Sequence, residues 1–157
     1  MTAAVVIKSL FGNNIFQSTA SSFCIAQILK TVVFLLTQRQ RNIRKTIEMA
    51  IWRTGGMPSS HSAVVCSLTT AVGIREGVSS NLFVFCLIFA MVVLRDALGV
   101  RRAAGLQAKA LNNLGKQTAD KVGMEFHAVK EIQGHTPLEV TVGAFLGIFI
   151  SAVFYIL

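Results

Sequence analysis

Leu82-Phe83-Val84-Phe85-Cys86-Leu87-Ile88-Phe89-Ala90-Met91-Val92-Val93-Leu94 is the most apolar stretch of the chain, and it ends abruptly at Arg95-Asp96. Its surroundings share that character. The 157 residues are 53% hydrophobic and 14% charged, with a mean hydropathy of +0.61. Soluble domains carry about 25% charged residues, so the composition points to lipid as the solvent. The length suits one domain over residues 1–157.

Working outward, three further segments are apolar enough to enter a bilayer. Residues 15–37 also hold Ser21, Ser22, Gln27 and Lys30; residues 62–74 are short for a span of about 20 residues; residues 138–157 close the series. The run at 82–94 can continue as a helix to about Asn113. Backbone groups in hydrocarbon must bond within the chain, so these segments are predicted helices. Period-2 alternation is absent, which argues against a β-barrel. The expected fold is an all-α polytopic membrane bundle with about four transmembrane helices. The short second span implies that its start is covered by protein or faces a water-filled recess. Residues 1–14 are expected as a short interfacial helix or a loosely held segment. The first apolar stretch lacks a strongly basic start and an A-x-A exit, so no cleavable signal peptide is expected. Cys24, Cys66 and Cys86 fall in apolar stretches without C-x-x-C spacing and read as buried reduced thiols.

The net charge of +8 is explained by where the charges lie. Arg39, Arg41, Arg44, Lys45 and Arg53 sit in the polar segment 38–58. Arg95, Arg101, Arg102, Lys109, Lys116, Lys121 and Lys130 sit in the polar segment 95–137. Those two segments hold 12 of the 15 basic residues and are separated by two crossings, hence lie on one side. The positive-inside rule puts both in the cytoplasm and both termini on the opposite side. A bacterial inner membrane, or an organellar membrane of bacterial origin, is the expected setting. The basic balance needs no nucleic acid, and no basic stripe interleaved with aromatics is present to stack bases.

Three strings carry the chemistry, each at the cytoplasmic end of a span under that topology. In Gly55-Gly56-Met57-Pro58-Ser59-Ser60-His61-Ser62, proline and serines suit a helix start. Free N–H groups and the positive dipole end there favour a phosphate, with His61 able to give or take a proton. The plain alternative is a capped helix with an interfacial histidine. In Gly134-His135-Thr136-Pro137-Leu138-Glu139, Thr136 and Glu139 match a capping box. That leaves His135 unexplained: with Glu139 four residues on, it can form a nucleophile and its orienting partner. In Arg95-Asp96-Ala97-Leu98-Gly99-Val100-Arg101-Arg102, the paired arginines suit phosphate oxygens, whereas Arg95 reads as a topology charge. Asp96 is costly at the boundary unless paired, with Lys30, an arginine or a catalytic group as its partner. Lys30 lies roughly 13 Å inside its span from Arg39 at helical rise. It either snorkels to the interface or faces the bundle and neutralises a phosphate. His127, in the polar loop, reads as solvated.

These residues resemble the divergent branch of the type 2 phosphatidic acid phosphatase superfamily, which also includes vanadium-dependent haloperoxidases. The resemblance runs from Ala26-Gln27-Ile28-Leu29-Lys30 to Gly143. It is strongest at residues 55–63, at 96–102 with Gly105-Leu106-Gln107-Ala108 and Leu111-Asn112, and at 134–140. It implies His135 as the nucleophile of a phosphohistidine, Glu139 in place of the usual aspartate as its orienting group, and His61 as general acid. It implies phosphate contacts from Ser60, with Ser59, from Arg101 or Arg102, and from Lys30, with Asp96 as a supporting candidate. The usual glycine between serine and histidine of the second motif is Ser60 here. The lysine-to-arginine-proline spacing of the first motif is not reproduced, leaving Arg53 as a loose match. A segment inserted between the arginines and His135, residues 115–133, reads as a lid or a membrane-surface helix.

The expected function is hydrolysis of a lipid phosphate, monoester or pyrophosphate, at the cytoplasmic membrane face, with no metal or other cofactor. The alternative is a non-catalytic membrane protein that binds lipid headgroups or partner proteins through the same basic face. Expected partners are the lipid phosphate substrate and membrane lipids. Gly143 and Gly147 form a G-x-x-x-G pair that can seat a neighbouring helix, so a homodimer is a candidate assembly alongside packing within the chain.

Overall fold

A computed structural model describes residues 2–37, 56–131 and 134–156. The elements are α1 (Ala3–Phe11), α2 (Asn14–Thr37), α3 (Ser60–Glu76), α4 (Asn81–Leu98), α5 (Val100–Val122) and α6 (Pro137–Ile156). The described residues contain no strand. The basic segment 38–55, with Arg39, Arg41, Arg44, Lys45 and Arg53, lies outside the described residues, as do 132–133.

α3 is the hub. It packs on α2, α4 and α6, and α2 also touches α6. Its sequence, SHSAVVCSLTTAVGIRE, is small and hydroxyl-rich, and Ser62, Ala63, Ser67, Ala71 and Val72 are buried. Large apolar side chains lie on the outside instead, including Phe85, Ile88, Met91, Val92, Phe145 and Phe149. An exterior richer in bulky apolar groups than the core is the arrangement for hydrocarbon, where small residues let helices approach and water drives nothing together. α2, the stretch Asn81–Val122 made up of α4 and α5, and α6 are long and apolar enough to cross a membrane by length and composition. α3 is not among them. Enclosed by three helices, it presents little surface to lipid and has no need of an apolar circumference, which accounts for the shortness of the second predicted span. The chain is an integral membrane helical bundle.

Specific contacts set the registers. Gly143 packs against the Ser59 carbonyl, and Gly147 against the Ala63 carbonyl and the Ser67 amide. One turn further, Ser151 Oγ donates to the Ser67 carbonyl at 2.7 Å. α3 and α6 therefore run parallel with backbones nearly touching. The G-x-x-x-G pair seats a helix of its own chain, so a second copy would have to use another face. Thr69 Oγ1 lies 3.2 Å from the Cys86 carbonyl and joins α3 to α4. Arg75 Nη1 donates to Asn13 Oδ1 at 3.3 Å, joining the far end of α3 to the α1–α2 junction.

Two expectations need correction. The third span does not run unbroken to about Asn113. It stops at Leu98, Gly99 adopts a non-helical backbone (φ −103°, ψ −83°), and α5 then continues to Val122. The inserted segment is therefore helical over its first part. Cys24 is exposed rather than buried, because it points outward from α2 among the apolar side chains; Cys86 is buried and Cys66 is between the two.

Candidate active site

Pro137 opens α6, its fixed φ suiting a first helical position. Thr136 Oγ1 accepts the Glu139 N–H at 3.3 Å, and Glu139 Oε2 accepts the Thr136 N–H at 3.1 Å. That reciprocal pair is the predicted capping box. The same Oε2 also faces His135 Nδ1 at 3.0 Å. The two readings of this string are thus one structure: the carboxylate caps the helix and holds the imidazole. A carboxylate only accepts, so Nδ1 donates to it, and in the neutral imidazole the lone pair then lies on Nε2. His135 is 4% exposed.

The start of α3 is fastened to this turn. The Ser59 N–H donates to the Glu139 carbonyl at 3.0 Å. The Ser59 hydroxyl caps α3, accepting from the Ser62 N–H at 3.4 Å and the Ser62 hydroxyl at 3.0 Å. Ser59 is thereby committed to the helix end and fully buried, while Ser60 is buried in the first turn and His61 beside it is exposed.

Lys30 reaches the same place from α2. It is 4% exposed, so it does not snorkel to water. Its methylene stem runs past Gly56, whose backbone is in the left-handed region (φ +93°) and where a Cβ would lie 3.6 Å from Lys30 Cγ. Glycine there supplies both the turn and the room. The negative charge bearing on Lys30 is Glu139.

The fourth contribution crosses the α4–α5 break. Arg101 Nε donates to Asp96 Oδ2 at 2.6 Å, with both side chains about two-fifths exposed. An ion pair this open contributes about 0–1 kcal/mol, so its effect is to aim the guanidinium. Of the two arginines, Arg101 is the one directed to the site. Arg102 is exposed, and its backbone is what Gly134 packs against. Arg101 and Lys30, and His135 in its protonated form, bear on His61 with like charge, and Asp96 with opposite charge. One electrostatic neighbourhood therefore joins residues from α2, α3, α4, α5 and the start of α6. His127 is exposed in the return chain. Among the described residues no three His, Cys, Asp or Glu side chains gather as a metal ion would need.

Some supporting residues carried no sequence signal of their own. Asn112 holds the chain returning from α5: its amide donates to the Val129 carbonyl and to Glu131 Oε1, both at 2.9 Å, and its oxygen accepts the Val129 N–H at 2.9 Å. Phe126 lies against Gly115, and Gly134 against Arg102. The contacts at 115, 112 and 102 lay the return chain antiparallel along α5 and deliver His135 beside the arginines. Asn112 stands in a string that resembles the family, but its spacing alone gave it no role.

Comparison with known proteins places the chain in a family. Residues 11–150 match the family described as the divergent PAP2 family. The chain is 35% identical over 149 residues to "Uncharacterized membrane protein YuiD" of Bacillus subtilis (strain 168), covering 87% of this chain and 90% of that protein. No solved structure matches. The matched residues take in Lys30, His61, His135, Asp96, Arg101, Arg102 and Glu139, and on that extent the chain belongs to the divergent PAP2 family.

Proposed function

We propose that this protein is a membrane phosphatase that hydrolyses a lipid phosphate, monoester or pyrophosphate, through a phosphohistidine. The observation that carries the reading is the His135–Glu139 pair, its imidazole buried, with Nε2 turned away from the carboxylate and in the same neighbourhood as His61, Lys30 and Arg101. A capped helix alone has no use for that imidazole.

The phosphoryl oxygens are held by Lys30, Arg101 and the first N–H groups of α3 at Ser60. His135 Nε2 attacks phosphorus, and the bond from phosphorus to the leaving oxygen breaks. The leaving alkoxide, or phosphate in the case of a pyrophosphate, takes the proton of His61. Water then attacks the phosphohistidine, giving its proton to the now neutral His61. The N–P bond breaks, and inorganic phosphate leaves with His135 restored. Fixed positive groups at the developing charge are the main source of such acceleration. By the charge-based topology the site faces the cytoplasm at the inner leaflet, where an acyl or prenyl tail stays in lipid while the phosphate enters.

The test is phosphate release by purified protein in detergent, screened over phosphatidic acid, phosphatidylglycerophosphate and polyprenyl phosphates, with a chelator present. Release that disappears in His135→Ala and is blocked by vanadate, a mimic of the five-coordinate transition state, is the expected result. Undiminished turnover in a folded His135→Ala protein refutes the assigned nucleophile. Headgroup binding with no phosphohistidine on acid-free trapping supports the non-catalytic alternative.

A further inference from the structure

α5 carries an apolar stripe that nothing in the described chain covers. Val100, Leu111, Leu114 and Val122 fall within about 80° of one another around the helix and are 69%, 52%, 63% and 62% exposed. Among the described elements α5 packs only on α4, apart from the return chain clamped along another side by Asn112 and Gly115. Outside the stripe stand Leu106, 60% exposed, several alanines and the charged side chains of the helix. The helix holds five basic residues, Arg101, Arg102, Lys109, Lys116 and Lys121, against one acid, Asp120.

We infer that α5 lies in the plane of the membrane surface, with Val100, Leu111, Leu114 and Val122 sunk into an anionic lipid leaflet. Two observations choose this occupant. α5 leaves the apolar helix α4 directly at Gly99, so it begins at the membrane boundary. Its charge suits acidic headgroups, each nearby basic residue contributing about 1 kcal/mol of attraction, whereas a second copy would bring like charge against like. A helix with one apolar face and a strongly basic remainder is the type that rests at an interface rather than crossing it. At 1.5 Å per residue α5 is about 33 Å long, and the antiparallel return chain brings the sequence back along it to α6 at the same surface. The inference needs no turnover at the candidate site.

The test uses the full chain in vesicles of phosphatidylcholine and phosphatidylglycerol. A Trp52→Phe background removes the single tryptophan. If that background does not fold, the parent's Trp52 emission is subtracted. Leu111→Trp and Lys116→Trp then place probes about 140° apart on α5. Leu111→Trp emission is expected to fall at least twofold with phosphatidylcholine brominated near the top of its acyl chains and to resist iodide. Lys116→Trp is expected to behave oppositely. Replacing phosphatidylglycerol by phosphatidylcholine should lower the bromine quenching of Leu111→Trp by about half, and no change refutes the anionic preference. Equal iodide quenching at both positions means α5 stands in water and overturns the inference. A blue-shifted Leu111→Trp that brominated lipid does not quench means protein covers the stripe and overturns it as well.

Discussion

Oε2 of Glu139 lies 3.0 Å from Nδ1 of His135 and 3.1 Å from the backbone nitrogen of Thr136, so a single oxygen both ends a helix and orients an imidazole. Helix capping and phosphoryl chemistry therefore make separable demands on the same residue.

Glu139→Gln separates them. The amide is the same size and can still accept from one N–H, but it removes the charge that fixes the His135 tautomer. We expect phosphate release to fall by about 10²-fold or more, within the usual range for acid–base groups, with little loss of thermal stability. Thr136→Ala is the complement. It removes the Thr136 Oγ1 bond and should cost about 1 kcal/mol of stability, leaving turnover within a few-fold. A Glu139→Gln protein that turns over normally would show that the carboxylate serves the helix alone.

Arg101 and Arg102 are adjacent in sequence and unlike in placement. Arg101→Ala should lower kcat/KM by about 10²-fold, a loss of about 2.7 kcal/mol of transition-state stabilisation. Asp96→Asn should lower it less, because the guanidinium survives but is no longer aimed. Arg102→Ala should change it by less than threefold. Equal effects of the two arginine variants on kcat/KM would contradict the assignment of Arg101.

Lys30→Met keeps the stem that packs beside Gly56 and removes a buried ammonium. Because desolvating that charge is costly, the variant should be as stable as the parent or more so. Its vanadate inhibition constant should rise about tenfold or more. The measurement is inhibition of residual phosphate release, paired with a thermal melt in detergent. A melt unchanged together with unchanged vanadate affinity would remove Lys30 from the site.

Gly147→Ala drives a methyl group into the Ala63 carbonyl, and Gly143→Ala drives one into the Ser59 carbonyl. Overpacking of this kind costs about 1–3 kcal/mol, so both should lower the melting temperature. Only Gly143 lies at the level of Ser59 and Glu139, so Gly143→Ala should also reduce turnover of the molecules that remain folded, while Gly147→Ala should leave it near the parent value. Activity normalised to folded protein distinguishes them.

Much of this site was readable before any coordinates, because the residues involved are conspicuous against their setting. A histidine after a glycine at a helix start, a lysine within one apolar span and an acid at the edge of another are each expensive and so point to a use. What the sequence left open were choices between equivalent candidates. Arg101 could not be separated from Arg102, since the break at Gly99 decides which of them turns inward. Lys30 could not be assigned inward or outward, since that depends on Gly56 from a distant segment. The shortness of residues 62–74 is plain in the sequence, but its cause, enclosure of α3 by three neighbours, is a tertiary fact that no local pattern encodes. The helix expected to end near Asn113 runs on to Val122, where Gly123 in the left-handed region ends it.

The close seating of Gly143 and Gly147 on α3 has a bearing on when the candidate site comes into being. Backbone-to-backbone contact at successive turns admits no sliding, because a displacement of one helix along the other would drive main-chain atoms through each other. Ser60 and His61 on one rod, and His135 and Glu139 at the head of the other, therefore travel as a fixed unit from the moment the two rods meet in the bilayer. Under the proposed function, a phosphate entering between them would find little to rearrange beyond the arm that carries Arg101.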